Sequence, residues 1–413
     1  MRMLPSLLSL VLVGLAAAPA TAQDLFAVRA RHLHTGTGEV LEHAVLLVAD
    51  GKVSIVGEDL PIDRGIPVLE LDDDQVVVPG LINAYSRLGM DGRGYSDSRP
   101  YIKASDELQP GDPDYKNVLE AGVVLLGQVP AGTGIPGQAA AVRPTGGPGG
   151  AYVVKDSIYL KVQMRSNASA KRNITDGFSK ADKWLEKEAS NRKKYDDAKE
   201  KAEKEKDKDK KKAALEKLGD YKPTSSDPKV VPFLDMRNGE LDMLVSLDSA
   251  ATYLHFLDAL GDEEVQWNLR MPLSAEIDYY HVAKKIGDED VAVMMEPLLT
   301  LFPGTLRQRN LPAELARAGA RLVLLPRNDS VDGVKRWMRD TGIIIAAGLD
   351  AGTAIRALTL EPATLLGLGE THGSLEAGKA ADFVVYSGNP FEPSTEVDAV
   401  FLDGALVHGE VDL

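Results

Sequence analysis

The 413-residue chain contains no cysteine. It therefore has no disulfide, no thiolate nucleophile and no cysteine-linked lipid, and its stability must come from packing and polar pairing. Long apolar runs are also missing: residues 4–15 form the one sustained stretch, too short to span a bilayer comfortably, and no second one follows. Positive charge is in deficit, with 47 Lys and Arg against 62 Asp and Glu and a formal net charge of −15. Nucleic acid or an anionic lipid surface would meet net repulsion, so neither is expected as the main partner. No G-x-S-x-G elbow marks a serine nucleophile, and the glycine-rich pieces PAGTGIPG and PTGGPGG lack the Lys-Ser/Thr that completes a phosphate loop. Those pieces read as turns.

The hydrophobic content, 44%, suffices for a substantial core and for one large domain beside a smaller one. Residues 1–22 have a basic start, an apolar centre and an Ala-Thr-Ala end, the build of a cleavable secretory signal. The mature protein is expected in the periplasm or medium, with no membrane span after cleavage. Residues 23–75 alternate and turn, with Asp50-Gly51 as a hairpin signal, and read as a small β-unit. A matching unit is expected over 373–413, with its turn at Asp403-Gly404. Between them, strand-like runs at 76–82, 123–129, 138–142, 241–247, 265–269, 291–295 and 321–325 alternate with helical stretches at 250–260, 275–286, 334–347 and 352–366. This is the pattern of a parallel α/β sheet or barrel. Residues 179–222 differ, being dense in both charges, and read as a solvated helical insertion with a break or fraying near KEKDKDKKK.

Three blocks carry a resemblance: GTGEVLEHAVLLVADGKVSIVG, VVVPGLINAYSRLG, and the long stretch from GLDAGTAIRALTL to VFLDGALVH. Together they resemble the amidohydrolase superfamily, in particular its secreted imidazolonepropionase-like members. The resemblance implies a (β/α)8 TIM-like barrel over residues 76–372, interrupted by the 179–222 insertion. A small β-sandwich formed from 23–75 and 373–413 would carry it. It also implies an active site at the C-terminal strand ends, where zinc or another divalent metal activates water for attack on a C–N bond.

The metal ligands implied by that resemblance are largely replaced. Where the family has Asp and His-x-His after its first barrel strand, this chain has Asn83, Tyr85 and Arg87. A guanidinium has five donors and no acceptor lone pair, so it cannot ligate a cation. The strand 5 and strand 6 histidines align with Ser246 and Arg270, and Ser166 is the match for the strand 4 bridging group. After strand 8 only Asp329 could keep an aspartate role, because Asp350 reads as a helix N-cap. No bound metal is therefore expected.

The seven histidines offer no relocated set; His32 and His34 form an H-x-H on one strand face, but in the opening β-unit. Two readings stay open. In one, the protein is a catalytically degenerate, metal-free homologue that binds a small anionic ligand or serves as an assembly partner, as a homo-oligomer or beside a paralogue. In the other, it is an active hydrolase of amide or cyclic amide bonds with a reduced site, using Asp329 as base with help from Tyr85.

Overall fold

Alternation along the N-terminal segment builds the first layer. In Leu25–His34 (β1), exposed Arg29 and Arg31 alternate with buried Val28 and Ala30. Val40–Ala49 (β2), Lys52–Glu58 (β3), Val68–Glu70 (β4) and Val76–Pro79 (β5) complete the N-terminal set. The structure, a computed structural model, describes residues 25–95, 97–145, 150–274 and 277–411, so the leader expected at 1–22 lies outside the described residues. Among the described residues no helix is long and apolar enough to cross a membrane.

The next strand, Leu81–Ser86 (β6), begins one residue after β5 ends. The sequence reads as one strand over 76–82, but the chain divides it at Gly80. A Cβ on Gly80 would meet the Val124 side chain at 2.4 Å, so glycine is what lets the two layers approach. Then come Val123–Gln128 (β7), Gly137–Gln138 (β8), Ala140–Pro144 (β9), Ala151–Lys155 (β10) and Tyr159–Gln163 (β11). They are followed by Asp242–Ser246 (β12), Trp267–Arg270 (β13), Ala292–Met295 (β14), Thr300–Leu301 (β15), Gln308–Arg309 (β16) and Arg321–Leu324 (β17). Phe383–Tyr386 (β18), Val397–Leu402 (β19) and Ala405–Gly409 (β20) end the chain.

The N- and C-terminal strands share one eight-stranded sheet, ordered β20-β19-β18-β5-β1-β2-β3, with β4 on β1. Where two stacked sheets were expected, the pairing is continuous, because β18 docks antiparallel on β5 with Val384 opposite Val78. Period-two geometry then feeds two cores. Val77, Phe383, Val385 and Phe401 pack with Phe26 and Leu46 in the sheet's own core. Val76, Val78, Val384 and Val400 join the larger core beneath the α/β block.

That block is a mixed α/β arrangement in which β6 and β7 pair in parallel, as do β11, β12, β13, β14 and β17 in that spatial order. The expected strand over 138–142 is split into β8 and β9, and β11, not among the strand-like runs read from apolar pattern, lies where the resemblance puts strand 4. Helices follow most of these strands, among them Ala250–Leu260 after β12 and Leu311–Ala318 before β17. The charged segment forms a 36-residue helix, Ala168–Glu203, and a second helix, Lys208–Leu218, begun by the Asp207 cap. Only its first turns dock, with Phe178 edge-on to Phe233 at 5.2 Å beside Gly177. Beyond them it is mostly solvated and carries i,i+4 pairs such as Arg192 with Asp196.

A buried ion pair ties the layers together. Arg143 on β9 and Asp382 at the start of β18 are each 3% exposed, and the guanidinium grips both carboxylate oxygens, one at 2.8 Å. Asp403 adds a contact at 3.1 Å, and its backbone N–H donates to Asp382 at 2.9 Å. Removing one partner of such a pair strands a buried charge, whereas removing both need cost little. Asp382→Leu should therefore lose about 3–5 kcal/mol of unfolding free energy in urea titrations, and the Arg143→Met/Asp382→Leu double variant should recover a large part of it.

Candidate functional site

The site grows from side chains at the C-terminal ends of parallel strands. Parallel register sets Ser246, the last residue of β12, beside Arg270, the last of β13. From there the Arg270 guanidinium lies over the Tyr85 ring of β6, 4.4 Å from its centre. Lys161 of β11 approaches the same ring at 5.2 Å, so the phenol side chain has two cations as neighbours. Such contacts contribute about 0.5–2 kcal/mol each as water is excluded. Arg270 also donates to Glu296, just past β14, at 3.3 Å, and the second Glu296 oxygen accepts from the Leu273 backbone N–H at 2.8 Å. Lys161, only 4% exposed, donates to the Pro130 carbonyl at 2.9 Å.

Asp329 lies in the loop after β17 and reaches back to β6. One oxygen accepts from the Ser86 hydroxyl at 2.7 Å and the other from the Arg87 backbone N–H at 2.6 Å. Burial raises its pKa, against the pull of those hydrogen bonds and of the Arg87 and Arg270 charges. The Arg87 guanidinium itself is held elsewhere, by the carbonyls of Val129 at 2.8 Å and Gly92 at 2.7 Å, and by Glu107 at 3.5 Å. The acidic partners of the Arg87 and Arg270 guanidinium groups are Glu107 and Glu296, not Asp329.

Asn83 is fully buried, its Oδ1 accepting from the Tyr85 backbone N–H at 3.3 Å and its Nδ2 without a partner. The Ser246 hydroxyl and the Arg270 Nε are likewise buried and unpartnered. Behind the ring, Tyr159 donates to the Ala84 carbonyl at 2.8 Å, and complete burial holds its phenol in the protonated form. The structure thus brings Tyr85, Ser246, Arg270 and the Asp329 carboxylate to one region, with Arg87 contributing its backbone N–H and Asn83 lying beneath. Asp350 is a helix N-cap, accepting from Thr353 N–H at 2.8 Å.

Several members of the cluster went unread in the sequence. Lys161 was missed because a lysine inside YLKVQ breaks an apolar run and hides the strand; the signal available was its two-residue spacing from Tyr159. Ser166, the match proposed for this strand, is exposed beyond its end. Glu296 directly follows the buried run of β14, a place where a lone acid has to have a partner.

These residues do not fit a catalytic divalent metal. No imidazole enters the cluster, both carboxylates already accept hydrogen bonds from the protein, and an ion placed among them would meet the charges of Arg270 and Lys161. Among the described residues, no group of three or more His, Asp or Glu could hold a metal ion.

The Asp329 environment has a testable sign. With its folded pKa above the ordinary 3.8, the native state keeps the proton longer than the unfolded chain, so this residue's contribution to stability falls as pH rises from about 3.8 through the folded pKa. Asp329→Asn should lack that slope, as read from urea midpoints across a pH series.

The comparisons agree with this architecture. Residues 330–408 match the amidohydrolase family. An amidohydrolase from Thermotoga maritima MSB8 is similar in structure, with 22% identity, a TM-score of 0.72, and coverage of 93% of this chain and all of the other. A putative prolidase from Bifidobacterium longum aligns at 15% identity and a TM-score of 0.50, over 93% of this chain and 94% of its own. No curated protein matches. The fold is thus that of solved amidohydrolases, and the C-terminal segment 330–408 carries the sequence match to the amidohydrolase family.

Proposed function

We propose that the protein is an exported, metal-free amidohydrolase homologue that has exchanged hydrolysis for binding. One observation carries this reading: the Arg270 guanidinium stacked on Tyr85 and paired with Glu296, where the family resemblance calls for imidazole ligands. A cation site rebuilt around a permanent cation cannot polarise a carbonyl through a metal. The parallel strands of the family's barrel correspond best to β6 and β7 in one sheet and to β11, β12, β13, β14 and β17 in the other, while β9 runs antiparallel to β7.

The ligand best suited to the cluster is a small carboxylate. The unpartnered Ser246 hydroxyl and Arg270 Nε are donors on neighbouring strands. A fold kept for binding also suits an assembly partner, and light scattering, alone and with a paralogue, addresses that role.

A second reading has one observation in its favour. Burial raises the Asp329 pKa, as general bases require. Against it, both carboxylate oxygens already accept hydrogen bonds from Ser86 and Arg87.

Purified protein should contain no stoichiometric zinc or manganese by elemental analysis and should leave dipeptides and lactams intact. Small carboxylates should raise its melting temperature, and Arg270→Met should abolish that shift. Stoichiometric metal together with turnover would overturn the reading, and turnover lost in Asp329→Asn would establish the hydrolase alternative.

A further inference from the structure

A second cleft, sharing no residue with the strand-end cluster, lies where the eight-stranded sheet meets the helices Trp337–Ala346 and Ala351–Leu358. Its volume is about 530 Å³, within the range of small-molecule sites, and such sites favour junctions between structural layers. Val40, Val76, Ile345 and Phe391 give it apolar walls, and Val40 keeps 44% of its surface exposed. The two-residue period of β1 sends Leu33 into the sheet's own core and His32 and His34 to the opposite side, with His32 in register with Val76.

His34 gives this cleft its chemistry. Its Nδ1 is buried and has no hydrogen-bond partner, a condition that native interiors rarely leave uncorrected. Burial, reinforced by the neighbouring His32, lowers its pKa from 6.5 to about 4, so at neutral pH the imidazole is uncharged, with one donor and one acceptor nitrogen. A metal does not suit the H-x-H pair, because no third ligand group joins it among the described residues. An anion does not suit it either, since the uncharged imidazole supplies no counter-charge and Glu392 lines the same cleft.

We infer that this cleft binds a small, uncharged, mainly apolar molecule carrying one polar group, which hydrogen-bonds to the His34 imidazole. The inference stands apart from the reading of the strand-end cluster, with which it shares no residue.

Phenol and toluene are suitable probes, being of similar size and differing in the hydroxyl. Phenol titrated into the intact protein should shift the His34 imidazole resonances in NMR spectra. Ala346→Trp, at an exposed position on the cleft wall, should block both probes. His34→Leu should weaken phenol about tenfold, the worth of one hydrogen bond, and leave toluene unchanged. Circular dichroism and the melting temperature verify that each variant is folded. The inference fails if phenol leaves His34 unmoved, if Ala346→Trp binds phenol as the parent does, or if His34→Leu weakens both probes equally.

Discussion

Arg270 over Tyr85 is the contact from which the rest of the site follows. The guanidinium needs an acceptor and a place to put its charge, and Glu296 supplies the acceptor while the ring face supplies the place. With a cation fixed there, Lys161 on the other approach to the ring must find its own stabilisation, and it does so at the Pro130 carbonyl. Asp329 closes onto Ser86 and the Arg87 backbone. Each of these side chains is stable because its neighbours answer it. On the metal-free reading proposed above, restoring one imidazole would leave it beside charges arranged against a metal.

The scaffold beneath this cluster is preserved by different means. Val77 belongs to one core and Val76 and Val78 to the other, so this short central strand is also the seam between the two cores. Gly80 allows the chain to pass directly from that seam into the strand that carries Tyr85, and the Arg143 to Asp382 pair fixes the C-terminal layer against the same place. The position of the Tyr85 ring is thus set by packing that involves no metal. On the proposed reading, that independence is what lets the fold persist without the family's ligand set.

Much of the architecture was legible in the sequence because it is written in local patterns. The strand-like runs of the block and the block from residue 348 to 408, within the matched region 330–408, reflect alternation and turn chemistry, which need few long-range contacts. That Tyr85, Ser246 and Arg270 stand at strand ends was legible because the apolar runs before them fix their place. What escaped was pairing. Nothing local says that Arg87 turns to Val129, Gly92 and Glu107 while its backbone serves Asp329, because those partners lie up to 242 residues away in the chain. Lys161 escaped for a related reason, since a buried lysine is intelligible only once the carbonyl that receives it is known.

The same logic separates the two histidine-bearing or charge-bearing regions of the molecule. At the strand ends every strong charge has an answering group, and the atoms left over are neutral donors and one guanidinium Nε. At the junction cleft the leftover atom is an imidazole nitrogen that burial keeps uncharged. A polar atom without a partner is costly wherever solvent is excluded, but the two environments ask for different remedies. Donors beside a guanidinium favour an acceptor-rich, anionic group, whereas a neutral nitrogen among valine, isoleucine and phenylalanine favours an apolar molecule with a single polar point. The chemistry each region can recognise follows from which charges its own side chains have already neutralised.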